Sequence, residues 1–357
     1  MRYNDFKLVE YSNLEQEKEN IIRTVSGLDA ANEEEAKVLD RIWKVLNTDT
    51  VGSKITTAFA STVNDEKFST KEKELIMRDM TEILSNLSVD YGRMSKFLDQ
   101  MEGGGVVNVA ALAKPLSSFE QVFNGDPVAQ MAFLKLARYG AGKNQKGPGE
   151  YALAMLSDKI SLKDGGGDLS VEGMGEVELK AAVGTSGGRL GHGGLAQKDA
   201  KAALAKYHDN VPALKQHFEN GAKGMGLKQF VEYLNSGLPA RTPENRALRV
   251  QIAIDLYRPV FGDFAPTVAK AFQQEDYQVI EDTMVKTNYD HYLDKDYFDV
   301  LLLCSFAAGK FASIKSGDDI VNLRQSGHLQ SFSIAAVPTN AGMREIFAQM
   351  SLSKAKI

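Results

Sequence analysis

The sequence predicts a mixed α/β chain in which helical stretches surround a smaller β component. Three observations predict it. Apolar residues recur at helical spacing from about 32 to 101 and again from 195 to about 290. The stretch 168–183 alternates apolar and charged residues as two strands would, and β alternation returns at 310–316 and 329–337. A two-stranded ribbon is hardly stable alone, so the late strands are expected to complete one sheet with the early hairpin. The expected division is a helical N-terminal region at 1–105, an α/β core split between 106–194 and 295–357, and a helical insertion at 195–294.

Taken in order, Asn32 precedes three glutamates and an apolar stripe of Val38, Leu39, Ile42, Trp43, Val45 and Leu46, with acid at the positive helix end. A second helix starts at Ser69-Thr70, carries Leu75, Ile76, Met80, Ile83, Leu84 and Leu87, and extends or re-forms through Tyr91 to Met101. Glu102-Gly103-Gly104-Gly105 reads as a boundary. Asp126 and Pro127 are an N-cap and first-turn pair, and Glu150 opens a short helix after Pro148. Further on, Thr242-Pro243-Glu244 starts a helix reaching Tyr257, and another helix is expected around Tyr297–Phe306.

Composition bounds the chemistry. The chain has 357 residues, 43% hydrophobic and 25% charged, enough for a substantial core. A formal charge of −5 gives no global field for nucleic acid, so a basic site must be local. The single cysteine, Cys304, excludes an internal disulfide framework and a cysteine-based zinc cluster, and its apolar surroundings read as packing. No long uncharged apolar run and no signal-like N-terminus appear, so a membrane partner is not expected and the compartment expected is cytoplasm, or a particle assembled there. The GAGKN stretch fails as a phosphate-binding loop, with Ala137 and Asn144 where glycine and a hydroxyl belong.

The chemistry-bearing residues gather between 143 and 189. Side chains alternate along a strand, so Glu178 and Lys180 project to one side and Val177, Leu179 and Ala181 to the other. Asp168, Ser170 and Glu172 likewise share a face, and Gly173-Met174-Gly175 is expected to close the hairpin. Ala181, Ala182 and Val183 after Lys180 suggest a central strand, and the glycines before Asp168 let the backbone turn freely. Glu150 adds a third carboxylate. Clustered carboxylates repel, and oxygen ligands suit Mg2+ or Mn2+; a solvated sheet face accounts for the same alternation. Between 135 and 163 the cations Lys135, Arg138, Lys143, Lys146, Lys159 and Lys163 outnumber Glu150 and Asp158, a local charge of +4 that fits a phosphate track or a solvated loop. Ser186 and Arg189, in the glycine-rich loop after the second strand, are further candidates for phosphate contact.

Helix, strand and strand carrying Glu, Asp and Glu-x-Lys resemble the PD-(D/E)xK nuclease superfamily, whose fold is restriction-endonuclease-like. The family's metal-binding aspartate maps onto Asp168, its E-x-K onto Glu178 and Lys180, and the glutamate of its first helix onto Glu150; Gly167 stands where the family's nominal proline does. The resemblance implies a mixed-sheet core and endonucleolytic, Mg2+-dependent hydrolysis of DNA. Asp168, Glu178 and Glu150 would hold the metal, Lys180 would position or activate water, and Lys143, Lys146, Ser186 and Arg189 would bind DNA. The opening MRYNDFKLVE and the helical organisation also resemble uncharacterised proteins of large tailed phages. That resemblance implies an alternative, a virion or assembly protein using a nuclease-like fold to dock other phage structural proteins.

Overall fold

A computed structural model of the chain describes residues 33–46, 84, 87, 91–137, 149–163, 166–182, 188–190, 195–239, 241–339 and 348–352. Helix α1 (Glu33–Leu46) begins after Asn32 as its spacing requires, and Ile42 and Val45 are buried. Helix α2 (Tyr91–Glu102) buries Met94, Phe97 and Leu98. Arg41 ties the two helices, donating to Ser95 Oγ at 2.7 Å and to Asp99 Oδ1 at 2.6 Å. The helix expected from Ser69 falls almost wholly outside the described residues.

The glycine run after α2 is not a boundary. Gly105 N–H donates to Gln100 O at 2.8 Å and Gly104 N–H to Met101 O at 3.4 Å. These two bonds form the Schellman closure that glycine permits, with Gly104 at φ 115. The chain then pairs directly with its own later segment: Val106 donates to Leu156 O, and Asp158 to Gly104 O, each at 2.8 Å. A β-carbon on Gly105 would lie 2.4 Å from Leu156 O. Glycine here allows two backbones to approach, rather than linking two domains.

The following elements are α3 (Val109–Leu112), β1 (Ser117–Ser118), α4 (Phe119–Val122) and α5 (Pro127–Leu136). Asp126 caps α5 as expected, its carboxylate accepting from Val128 N at 2.8 Å. Next come α6 (Glu150–Met155), β2 (Ile160–Leu162), β3 (Leu169–Val171), β4 (Gly175–Ala182) and β5 (Gly188–Leu190). A mostly helical stretch follows, with α7 (Gln197–Ala205), α8 (Pro212–Glu219), β6 (Met225–Gly226), α9 (Leu227–Gly237), α10 (Pro243–Phe261), α11 (Ala265–Ala271) and α12 (Tyr277–Asp296). The chain closes with β7 (Val300–Ser305), β8 (Lys310–Ile314), α13 (Gly317–Gln325), β9 (Leu329–Val337) and β10 (Ala348–Leu352). Among the described residues, no helix is long and apolar enough to cross a membrane.

The strands form two sheets rather than the one expected. A six-stranded sheet runs β1-β8-β7-β4-β3-β2, and a four-stranded sheet runs β5-β10-β9-β6. The chain is therefore mixed α/β, but its compact units divide differently from the three segments expected. One comprises the described parts of Met1–Ala181 with Val300–Ser313; the other comprises those of Ala182–Asp299 with Ile314–Lys356. The N-terminal helices thus belong with the larger sheet. The strand expected at 329–337 forms as β9, but in the second unit.

Around Tyr297–Phe306, where a helix is expected, the chain forms strand β7. Tyr297 takes a left-handed conformation, φ 51, and ends α12 before the apolar run. All six residues of β7 are buried. A strand covered on both faces shows continuous apolar residues, not alternation, so its period resembles that of a buried helix. Cys304 lies in this strand, buried, and burial pushes its thiol well above the ordinary range. The first unit's core also holds a cluster of rings, with Phe133 stacked on Phe306 at 5.6 Å and Phe119 at 5.0 Å from Phe311.

In the second unit, Thr242 caps α10, accepting from Asn245 N at 3.2 Å. Two turns on, Arg249 is only 1% exposed. It donates to Asn235 Oδ1 at 2.6 Å and to Leu238 O at 2.8 Å, placing a cation at the carbonyl end of α9. Tyr257 on the same helix is fully buried against Phe261 and Phe272, and its hydroxyl has no hydrogen-bond partner among the described residues. An orphaned buried hydroxyl costs roughly 1–3 kcal/mol of desolvation. Tyr257→Phe is therefore expected to raise unfolding stability by about 1 kcal/mol in urea titration. A loss of stability would mean that the hydroxyl is satisfied after all.

Candidate functional site

Strands β3 and β4 form an antiparallel hairpin with Leu169 opposite Val177, Ser170 opposite Glu176 and Val171 opposite Gly175. Leu169, Val171, Val177 and Leu179 join the first unit's core, while Glu178 and Lys180 occupy the alternate positions, as the period of two requires. The turn is Glu172-Gly173-Met174, one residue earlier than expected. Met174 N–H donates to Val171 O at 3.0 Å, and Gly173 sits at φ 76, the positive φ that the third position of a type II turn demands. Strand β4 is internal to its sheet, flanked by β3 and β7.

Glu178 and Lys180 meet directly: the Lys180 ammonium lies 2.5 Å from Glu178 Oε1. The glutamate is 8% exposed, whereas the lysine side chain is 30% exposed, so the pair reaches solvent through its cation. Asp168 stands one step beyond the end of β3, next to Leu169, which lies opposite Val177. Gly166 and Gly167 bring it there with φ 64 and 86. A β-carbon on Gly167 would lie 3.1 Å from Val177 O, tighter than a side chain normally tolerates. Asp168 N–H donates to Val177 O at 2.9 Å, and its carboxylate accepts the Leu179 N–H at 3.0 Å. Part of its capacity therefore serves the backbone of β4, extending the ladder where β3 stops.

Glu150 arrives from elsewhere. Gly149, at φ 100, precedes it and lies against the Leu179 side chain. Tyr151–Met155 pack into the same core as Val177 and Leu179. Helix α6 thus lies on the apolar side of β4, the face opposite Glu178 and Lys180. Among the described residues, no three His, Cys, Asp or Glu side chains gather as a group able to hold a metal ion. The three carboxylates expected to share an ion therefore do not form a ready set. The Asp168 carboxylate sits on the amide of Leu179, the residue after Glu178, and two carboxylates suit the way Mg2+ is commonly held, by one or two carboxylates with water and phosphate oxygens completing the shell.

Of the expected DNA contacts, Lys143, Lys146 and Ser186 lie outside the described residues. Arg189 is in β5, opposite Gln349 of β10, and so belongs to the second unit; its side chain is outside the description. The basic excess at 135–163 is smaller in space than along the chain. Lys159 lies 3.8 Å from Glu172, and Lys163 is ion-paired with Glu176, both acids supplied by the hairpin. Glu176 and Lys163 were not among the expected site residues. The signal for Glu176 is present in the stretch EVELK, where it shares the alternation of Glu178 and Lys180. No family model, curated protein or solved structure matches this chain.

Proposed function

We propose that this chain is a Mg2+-dependent deoxyribonuclease whose site lies on the polar side of the β3–β4 hairpin. The observation that carries the reading is the contact of Glu178 with Lys180, with the Asp168 carboxylate held on the amide of Leu179 between them. Asp168 and Glu178 would hold the ion, with Glu150 no longer needed as a third protein ligand. When bound, the divalent ion supplies Lewis-acid stabilisation of charge on the scissile phosphate. Lys180, held by Glu178, orients the attacking water and meets negative charge developing on the phosphate oxygens. Supercoiled plasmid incubated with the protein is expected to be nicked or linearised with Mg2+ or Mn2+, and to remain intact when EDTA is added. Contaminant-free protein that leaves plasmid uncut with either metal removes the reading.

A second reading is favoured by how fully this face pairs with itself. Lys159 meets Glu172, Lys163 meets Glu176, Lys180 meets Glu178, and Asp168 accepts a backbone amide. Charges partnered in this way also suit a passive sheet face in an assembly protein, phage-encoded or otherwise. The plasmid assay separates the two readings, because only a nuclease responds to the metal.

A further inference from the structure

Asparagine followed by glycine occurs twice in the sequence, at Asn124–Gly125 and Asn220–Gly221. This pair has a chemistry of its own. The glycine amide nitrogen, with no side chain to hinder its approach, can attack the asparagine Cγ. A new C–N bond closes a succinimide ring, the bond to the side-chain nitrogen breaks, and ammonia leaves. Water then opens the ring at either carbonyl, giving aspartate or isoaspartate. The fold sets the rate, because the glycine N–H must be released and the carboxamide must turn towards it.

The two pairs are held differently. Asn124, at φ 52, follows α4 in a Schellman closure: its N–H donates to Gln121 O at 3.4 Å, and the Gly125 N–H to Glu120 O at 2.7 Å. Its carboxamide is also engaged, Oδ1 accepting from Asn108 Nδ2 at 2.9 Å. Asn108 is fixed in turn, its own Oδ1 accepting the Ala111 N–H at 3.0 Å and its N–H donating to Val122 O at 2.7 Å. Asn220, by contrast, ends α8 and is exposed, as are Glu219 and Gly221. Its carboxamide makes no hydrogen bond among the described residues, and the Gly221 N–H has one partner, Phe218 O at 3.1 Å. At ψ 10 the glycine nitrogen is not aligned with Cγ, so attack follows a local opening of this helix end. Just beyond, Lys201 holds Ala222 O at 3.4 Å and His217 Nε2 holds Gly224 O at 2.8 Å. The opening is thus confined to the joint between α8 and that anchored loop.

We propose that Asn220 is a site of spontaneous deamidation and that the fold protects Asn124. This chemistry needs neither metal nor nucleic acid, so it stands apart from the nuclease reading. The product puts a negative charge at the carbonyl end of α8, where the helix dipole disfavours it, and isoaspartate lengthens the main chain by a methylene. The folded chain is incubated at mildly alkaline pH in water enriched in heavy oxygen, then mapped by peptide mass spectrometry. Heavy oxygen marks newly made aspartate and isoaspartate, which chromatography separates. One added hydrogen bond corresponds to roughly fivefold in the population of an open conformer, so Asn220 is expected to convert at least about fivefold faster than Asn124. In urea-unfolded protein the two should convert at similar rates. Asn108→Asp keeps an acceptor for Ala111 and removes the donor to Asn124, so conversion at Asn124 should rise by about fivefold while Asn220 is unchanged. Asn108→Ser, which also keeps a capping oxygen, makes the same comparison if the aspartate variant does not fold. Equal rates at the two sites in the folded chain overturn the proposal, as does an Asn220 that stays an amide while the unfolded chain converts. A folded Asn108 variant with no change at Asn124 overturns the protection assigned to that bridge.

Discussion

Replacing Arg324 with methionine is expected to cost about 3–5 kcal/mol of folding stability. Arg324 lies on α13, and its side chain is only 8% exposed. One guanidinium nitrogen sits 2.5 Å from Glu281 Oε2 and another 2.6 Å from Asp282 Oδ1, both on α12. Each carboxylate side chain is 15% exposed. Without the arginine, two adjacent carboxylates remain largely desolvated and repel each other, and Gln325, 3.4 Å from Asp282, supplies only a neutral donor. Urea unfolding at neutral pH reads the loss. Adding Glu281→Gln and Asp282→Asn to the methionine variant should recover most of it, because the cost lies in unpaired buried charge rather than in a missing attraction. A loss below about 1 kcal/mol would instead place the cluster with ordinary surface pairs.

The second large effect separates two roles of Asp168. Asp168→Ala removes both the negative charge and the acceptor for the Leu179 N–H, so it should lose roughly 1–3 kcal/mol of stability as well as activity. Asp168→Asn keeps an acceptor oxygen in the same place, so the fold should hold close to parental stability. If the nuclease reading is right, cleavage should still fall on the order of a hundredfold or more, since an amide is a poor substitute for a metal-binding carboxylate. Thermal unfolding and plasmid cleavage on the same two variants give both answers. An asparagine variant that cuts as fast as the parent would leave Asp168 with its backbone role only.

Much of the local structure was legible along the chain. Asp126 and Thr242 marked true helix starts because a cap depends on one side chain and the next three amides, all neighbours in sequence. The two faces of β4 were equally legible, since alternation is a property of the strand alone and a one-residue error would have buried Glu178 and Lys180 in the core. The hairpin turn came one residue early, because glycines on both sides of Met174 can each adopt a positive φ. Strand β7 misled for a different reason: VLLLCS is buried on both sides and shows no period to read.

What the order of residues determined by itself was the helical and β segments, the caps, and the assignment of Glu178 and Lys180 to the polar side of their strand. What only the tertiary structure decided was which segments became neighbours. It divided the late strands between two sheets, made a packed backbone crossing of Gly103–Gly105, set α6 on the apolar side of β4, and paired Lys163 of β2's end with Glu176 of β4. It also placed Arg249 in the interior, where backbone and side-chain acceptors on α9 and just beyond it receive two of its three nitrogens. The physical reason is common to all of these. Capping and alternation are settled by a few adjacent residues, whereas strand pairing and the burial of a charge depend on partners far along the chain, whose identity no local pattern encodes.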